Sequence, residues 1–292
     1  MGELVVAAAQ IACSDDIEEN LAKIESLVAE AARRGAQLVV LQELLEGQYF
    51  CKDMDAKHRA RARPFADHPT IARLARLAKH HSVVLPASVY EHDGGKDYNT
   101  LAMIDADGKI LGRYRKSHIP DGKGYSEKFY FTPGDTGFQV FDTAVGKVGA
   151  AICWDQWFPE AARAMVLKGA ELLIYPTAIG SEPPNLAWDS CGHWQRVMQG
   201  HAGANLTPVI AANRVGIEKG TSCDVIFYGS SFIADHTGAK LAEANRVSDC
   251  VITAGLDMAA IAELRRYWGV FRDRRVDLYG ELLQPSPKHL LP

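Results

Sequence analysis

The sequence predicts an α/β fold in which two β-sheets pack face to face and helices back each of them. Three observations lead there. The first 43 residues read strand, helix, strand. Many later strands come as adjacent antiparallel pairs, and a plain doubly wound sheet, the alternative, uses fewer hairpins. The strands are rich in Val, Ile and Ala with few polar alternations, as in sheets covered on both faces.

Taken in order, "ELVVAAAQIA" is a buried strand. In "SDDIEENLAKIESLVAEAARRG", Ile17, Leu21, Ile24 and Val28 recur at helical spacing; Asp15 or Asp16 caps the start, and Arg33, Arg34 and Gly35 close the end. "AQLVVLQE" is the second strand. "TIARLARLAKHH" is a helix and "SVVLPASVYE" a strand. Residues 99–116 form two strands around Asp107–Gly108, and residues 136–153 another pair around Val145–Gly146. A helix opens near Pro159, a residue suited to the first turn, and stops at Gly169. "AELLIYP" is a strand, residues 187–206 a helix and "TPVIAANRVG" a strand. Residues 228–245 and 249–257 supply three more strands, and residues 259–275 a last helix. With no low-complexity linker and no break in composition, the whole of residues 1–292 reads as one domain.

Composition excludes several roles. The net charge of −4 gives no electrostatic case for nucleic acid or an anionic membrane as partner. No apolar run approaches the roughly 20 residues that a spanning helix needs. The N-terminal stretch lacks a basic leader and enters a strand at once, so it is read as mature sequence. Six cysteines stand at positions 13, 51, 153, 191, 223 and 250 with no C-x-x-C pair, which gives a zinc site no local support and suits reduced thiols in the cytoplasm. Cys13 and Cys250, in apolar strand context, read as small buried residues.

Cys153 differs, standing where a strand turns into a helix, beside Trp154, Asp155 and Trp157. Two other strands end on chemistry: Glu43 closes "LVVLQE" and Lys116 closes "ILGRYRK". If these strand ends converge, a thiol, a carboxylate and an ammonium share one site. An unperturbed thiol, with a pKa of ~8.5, is mostly protonated at neutral pH and needs a base. Glu43 can serve if burial raises its pKa, and Lys116 can hold an oxyanion, with the Trp154 N–H as a second donor. A histidine, His118 or His193 first, is an equally admissible base on these grounds.

The segments "LVVLQELLEGQYF", "GRYRKSHIPD" and "GAAICWDQWFPEAARAMVLKGAELLIYPTAIG", in this order and spacing, resemble the three signature blocks of the nitrilase superfamily of carbon–nitrogen hydrolases. The resemblance spans nearly the whole chain. It implies a four-layer αββα sandwich of two mixed β-sheets, with Glu43 as general base, Lys116 as oxyanion stabiliser and Cys153 as nucleophile. It also implies Glu127, in "YSEKFYFTPGD", as a second acid that orients Lys116 or the substrate nitrogen. No cofactor and no metal are implied.

Within the superfamily the likeness is greatest to the branch that hydrolyses N-carbamoylputrescine. That substrate carries a urea, four methylenes and an ammonium. Tyr49, Trp154 and Trp157 are expected to wall the methylenes, each worth about 0.8 kcal/mol when buried. Glu182, in "AIGSEPP", is expected to meet the ammonium, a pairing of roughly 4 kcal/mol before desolvation. "CWDQWF" offers no cation before Arg163, so an anionic tail would meet Asp155 instead, which counts against carbamoyl amino acids. The resemblance also implies a homo-oligomer built from dimers, with Leu278, Tyr279, Leu282 and Leu283 apolar enough to pack on a partner.

Overall fold

Alternation along the first strand decides the layering. In the computed structural model, which describes residues 3–286, β1 (Leu4–Gln10) sends Val6 and Ala8 into one apolar core and Ala7 and Ala9 into another. A strand so divided must lie in a sheet with a packed layer on each face.

β1 pairs antiparallel with β14 (Cys250–Leu256) and parallel with β2 (Leu38–Val40). A parallel bridge from Leu38 to Val84 links β2 to the segment entering β3 (Ala87–Asp93). β3 continues antiparallel into β4 (Lys96–Ile104) and β5 (Ile110–Arg115). The second sheet has the order β13 (Lys240–Glu243), β12 (Phe232–Ala234), β9 (Val209–Ala212), β8 (Leu172–Pro176), β7 (Gly146–Ala150), β6 (Gln139–Thr143). Its centre, β7-β8-β9, is parallel and its flanks are antiparallel. Both sheets are mixed, as expected.

Helices α1 (Ile17–Arg33) and α2 (Pro69–His81) cover the first sheet. Asp16, not Asp15, caps α1 by accepting the N–H groups of Glu18 and Glu19 at 2.8 and 3.3 Å. The inward stripe of Leu21, Ile24 and Val28 is fully buried, and each such side chain contributes about 1.5–3 kcal/mol. Helices α3 (Pro159–Leu167) and α4 (Cys191–Asn205) cover the second sheet. The inner faces of the two sheets meet in one core, with Val6, Leu38 and Leu101 on one side and Val148, Leu172 and Ile210 on the other. The layers are therefore αββα. Helix α5 (Met258–Trp268) follows β14.

Several elements depart from the sequence expectation. β3 begins only at Ala87, because Ser82 closes α2 in the left-handed region at φ 54° and Pro86 offers no N–H to a ladder. α4 begins at Cys191 rather than Ala187, and α5 stops at Trp268 because Gly269, at φ 72°, turns the chain. A hairpin of β10 (Val215–Glu218) and β11 (Val225–Tyr228) was not anticipated; it turns Ile217 and Ile226 to solvent, which hides the usual apolar-inward pattern. β2 and β7 end at Val40 and Ala150, so Glu43 and Cys153 stand three residues past their strands.

Candidate active site

Those short runs beyond the strands build the site. Lys116 follows β5 directly and is fully buried between two equally buried carboxylates. Its Nζ donates to Glu43 Oε1 at 2.7 Å and to both oxygens of Glu127 at 2.9 and 2.7 Å. Glu43 leaves the strand path in a turn whose next residue, Leu44, sits at φ 48°. Its Oε1 also accepts from Asn99 Nδ2 at 2.6 Å, while its Oε2 has no partner within the protein. Glu127 opens a short 3₁₀ turn, Glu127–Phe129.

Cys153 heads a second 3₁₀ turn, Cys153–Trp157, at φ 42°. A β-carbon in the left-handed region costs on the order of 1–3 kcal/mol and re-aims the side chain where the strand would not. The Asp155 carboxylate holds this bend by accepting the Ile152 N–H at 3.0 Å, the Tyr114 hydroxyl at 2.7 Å and the His118 N–H at 2.9 Å. The Cys153 Sγ lies 3.7 Å from the Ala178 carbonyl.

The electrostatics follow from burial. Desolvation pushes the Cys153 thiol well above its ordinary range, the charge of Glu43 adds to this, and Lys116 opposes it. The resting sulfur is thus a thiol that needs a base. Burial also raises Glu127, to about 7, against the pull of Lys116. Burial works against the Lys116 charge, but Glu127 and Glu43 outweigh it, so the ammonium is held well above its usual range. The structure therefore gathers Glu43, Lys116, Glu127 and Cys153 into one water-poor centre.

A model of the carbon–nitrogen hydrolase family matches residues 5–266. The chain belongs to that family. It is 57% identical over 286 residues to an N-carbamoylputrescine amidase of Arabidopsis thaliana, with 96% of this chain and 95% of the relative covered. It is 52% identical over 284 residues to a citrullinase of Francisella tularensis, with 97% and 99% covered. Among solved structures, a carbon–nitrogen hydrolase of Helicobacter pylori superposes with a TM-score of 0.91 at 39% identity, over 98% of this chain and 100% of that one.

In this hydrolase a cavity of about 150 Å³ opens onto Cys153. Trp154, Trp157 and Glu182 line it, together with Asp121, Lys123 and Tyr125. The two indoles meet edge to face, 6.1 Å between centroids, and Trp154 is 39% exposed at the mouth. Tyr125, which sequence reasoning missed, accepts the Gly180 N–H at 2.9 Å and donates to the Ser181 carbonyl at 3.0 Å, fixing the loop that carries Glu182.

Two expectations need correction. Tyr49 does not wall the cavity; it is wholly buried and its hydroxyl donates to Glu127 Oε1 at 2.6 Å, so it stands behind the acid. Asp155 cannot meet an anionic tail, because it is buried and its oxygens are taken by the bend. Gln156 is equally withdrawn, accepting from Trp194 Nε1 at 2.8 Å. The repulsion that Asp155 was expected to offer a carbamoyl amino acid therefore falls, while "CWDQWF" still brings no cation before Arg163. As for the alternative bases, His118 bonds Asp155 at 2.7 Å and stacks on Phe158 at 3.7 Å, while His193 packs on Trp157 at 4.9 Å. Neither lines the cavity that opens onto Cys153.

Cys13 is buried as expected, and burial pushes its thiol up to about 11; Cys250 is only partly buried. Among the described residues no cluster of His, Cys, Asp and Glu is arranged to hold a metal, and no helix is long and apolar enough to cross a membrane.

Proposed function

We propose that this enzyme hydrolyses N-carbamoylputrescine to putrescine, carbon dioxide and ammonia. The observation that carries the reading is one cavity with Cys153 at its base, two indoles on its wall and Glu182 on its lining. The thiol meets the urea, the rings meet the methylenes and the carboxylate meets the ammonium. The amidases of 54–57% identity support it.

In this scheme the Cys153 sulfur attacks the ureido carbon as its proton passes to Glu43. Lys116 Nζ and the Trp154 N–H hold the oxyanion. Glu43 returns the proton to the terminal nitrogen, which leaves as ammonia and strands a carbamoyl group on sulfur. Water then attacks, giving its proton to Glu43, and the thiol is restored as an N-carboxylated amine departs and loses carbon dioxide. Carbonyl polarisation falls to Lys116 and backbone dipoles. Glu127, steadied by Tyr49, holds Lys116 in place.

Glu182→Gln tests the tail assignment. A hydrogen bond to a charged group nets about 1.5–3 kcal/mol, so kcat/KM for N-carbamoylputrescine is expected to fall roughly tenfold or more. An uncharged N-carbamoylalkylamine should be unaffected. Equal loss on both removes Glu182 as the ammonium partner.

A second reading is citrulline, favoured by the citrullinase relative and by Lys123 beside Glu182 in the cavity lining. A cation and an acid together suit an amino-acid zwitterion. Steady-state ammonia release from the two substrates decides: the one with the higher kcat/KM is the substrate for which the pocket is built.

The wild-type pH profile follows from Glu127. Below about 7 this acid gains a proton and Lys116 loses a counter-charge. kcat/KM is expected to rise with pH and level off above about 7. Glu127→Gln should erase that limb along with most of the activity; a limb that survives the substitution belongs to another group.

We read the chain as one catalytic domain acting in the cytoplasm, a setting that suits six unpaired thiols. Leu278, Tyr279, Leu282 and Leu283 lie exposed, and the last three line a groove with α3, a placement that supports dimer-based assembly.

A further inference from the structure

Behind the reacting groups lies a second buried ion pair that the chemistry above does not use. Arg214, between β9 and β10, is wholly buried, and its Nη1 donates to Glu218 Oε1 at 2.7 Å. A buried arginine paired with one acid has donors to spare, and here the two terminal nitrogens give theirs to backbone. Nη2 donates to the carbonyls of Glu43 at 2.8 Å and Leu44 at 3.0 Å, and Nη1 to that of Gly47 at 3.1 Å. These are the carbonyls of the turn that carries the Glu43 carboxylate, where no sheet ladder is available to hold them. The other oxygen of Glu218 accepts the Tyr49 N–H at 2.5 Å. Tyr49, over whose ring the Arg214 guanidinium lies 5.7 Å from the centroid, in turn bonds Glu127.

The contacts close a ring. From Lys116 they run to Glu43, through its backbone to Arg214, across to Glu218, on through Tyr49 to Glu127, and back to Lys116. We propose that Arg214 and Glu218 are positioning residues, which set the separation of the two acids around Lys116 and so the place where Glu43 meets the thiol. The pair touches no reacting atom. Its function is to make a turn as rigid as a strand, so that the base stays within proton-transfer reach of sulfur. A displacement of 1 Å at such a centre costs about 100-fold in rate.

This inference rests on Glu43 and Glu127 having the roles given above, and the test separates the two. Arg214→Met, Arg214→Lys and Glu43→Gln are assayed with N-carbamoylputrescine, per mole of enzyme shown folded by circular dichroism, alongside thermal melts. Arg214→Met is expected to lower kcat about 100-fold with KM within about threefold, because binding by the cavity wall is untouched. Arg214→Lys keeps the charge opposite Glu218 and so guards against a variant that fails to fold. Its single ammonium cannot reach Glu218 and all three carbonyls, and kcat should fall about tenfold at unchanged KM. If the folded variants keep wild-type kcat and only melt earlier, the pair is a stabilising strut and the proposal is wrong. If Glu43→Gln itself turns over normally, the assignment of the base has failed instead.

Discussion

Cys153→Ala is expected to remove turnover by a factor of about 10⁴ or more while leaving the fold in place. The sulfur is the atom that bonds the substrate carbon in the proposed scheme, and nothing else lining the cavity can replace it. The fold should persist because the bend at residue 153 is held by Asp155, whose bonds to Ile152, Tyr114 and His118 do not involve the thiol. Loss of one buried sulfur leaves a small void, worth about 1 kcal/mol. Ammonia release read against the thermal melt checks both halves. Wild-type turnover in the variant would refute covalent chemistry at this cysteine.

Lys116→Met is expected to have the largest effect on stability. It leaves two carboxylates facing each other in a buried centre with no cation between them. Breaking a buried ion pair costs about 3–5 kcal/mol. The loss must depend on pH. Already in the wild type burial raises Glu127 to about 7 against the pull of Lys116, and without that lysine it rises further above its unfolded value. An acid so raised binds its proton more tightly folded than unfolded, so its contribution is favourable below the unfolded value near ~4.3 and is lost as pH rises through the folded one. The variant should therefore approach wild-type stability near pH 4.5 and fall furthest behind at pH 8 and above. Urea unfolding at the two ends measures it. A deficit that does not change with pH would mean that the two acids do not depend on this lysine.

Much of this architecture was legible in the residues. Helical spacing in α1 and α2, the paired strands and the Val-, Ile- and Ala-rich runs lead to two covered sheets, and the matched segments around Glu43, Lys116, Glu127 and Cys153 lead to the centre. What the residues withheld was direction. Tyr49 has the apolar face of a substrate wall, yet its hydroxyl found a buried acid, and a buried carboxylate holds a phenol more tightly than a solvent-facing cavity does. Asp155 is an acid beside the nucleophile in sequence, but the bend turns it away. Asn99, Arg214 and Glu218 went unread because a polar residue inside an apolar strand run looks like noise. Arg214 in "VIAANRVG" did carry a signal, since an arginine in such a run is seldom buried unless something inside needs its donors.

The lopsided carboxylate of Glu43 has a consequence for the order of events. One oxygen is spoken for by an ammonium and an amide, so in the proposed scheme every proton that Glu43 carries comes and goes through the other. Nucleophile, departing amine and incoming solvent then take turns at a single atom. The centre behaves as a turnstile, and hydrolysis waits until the first nitrogen has gone through.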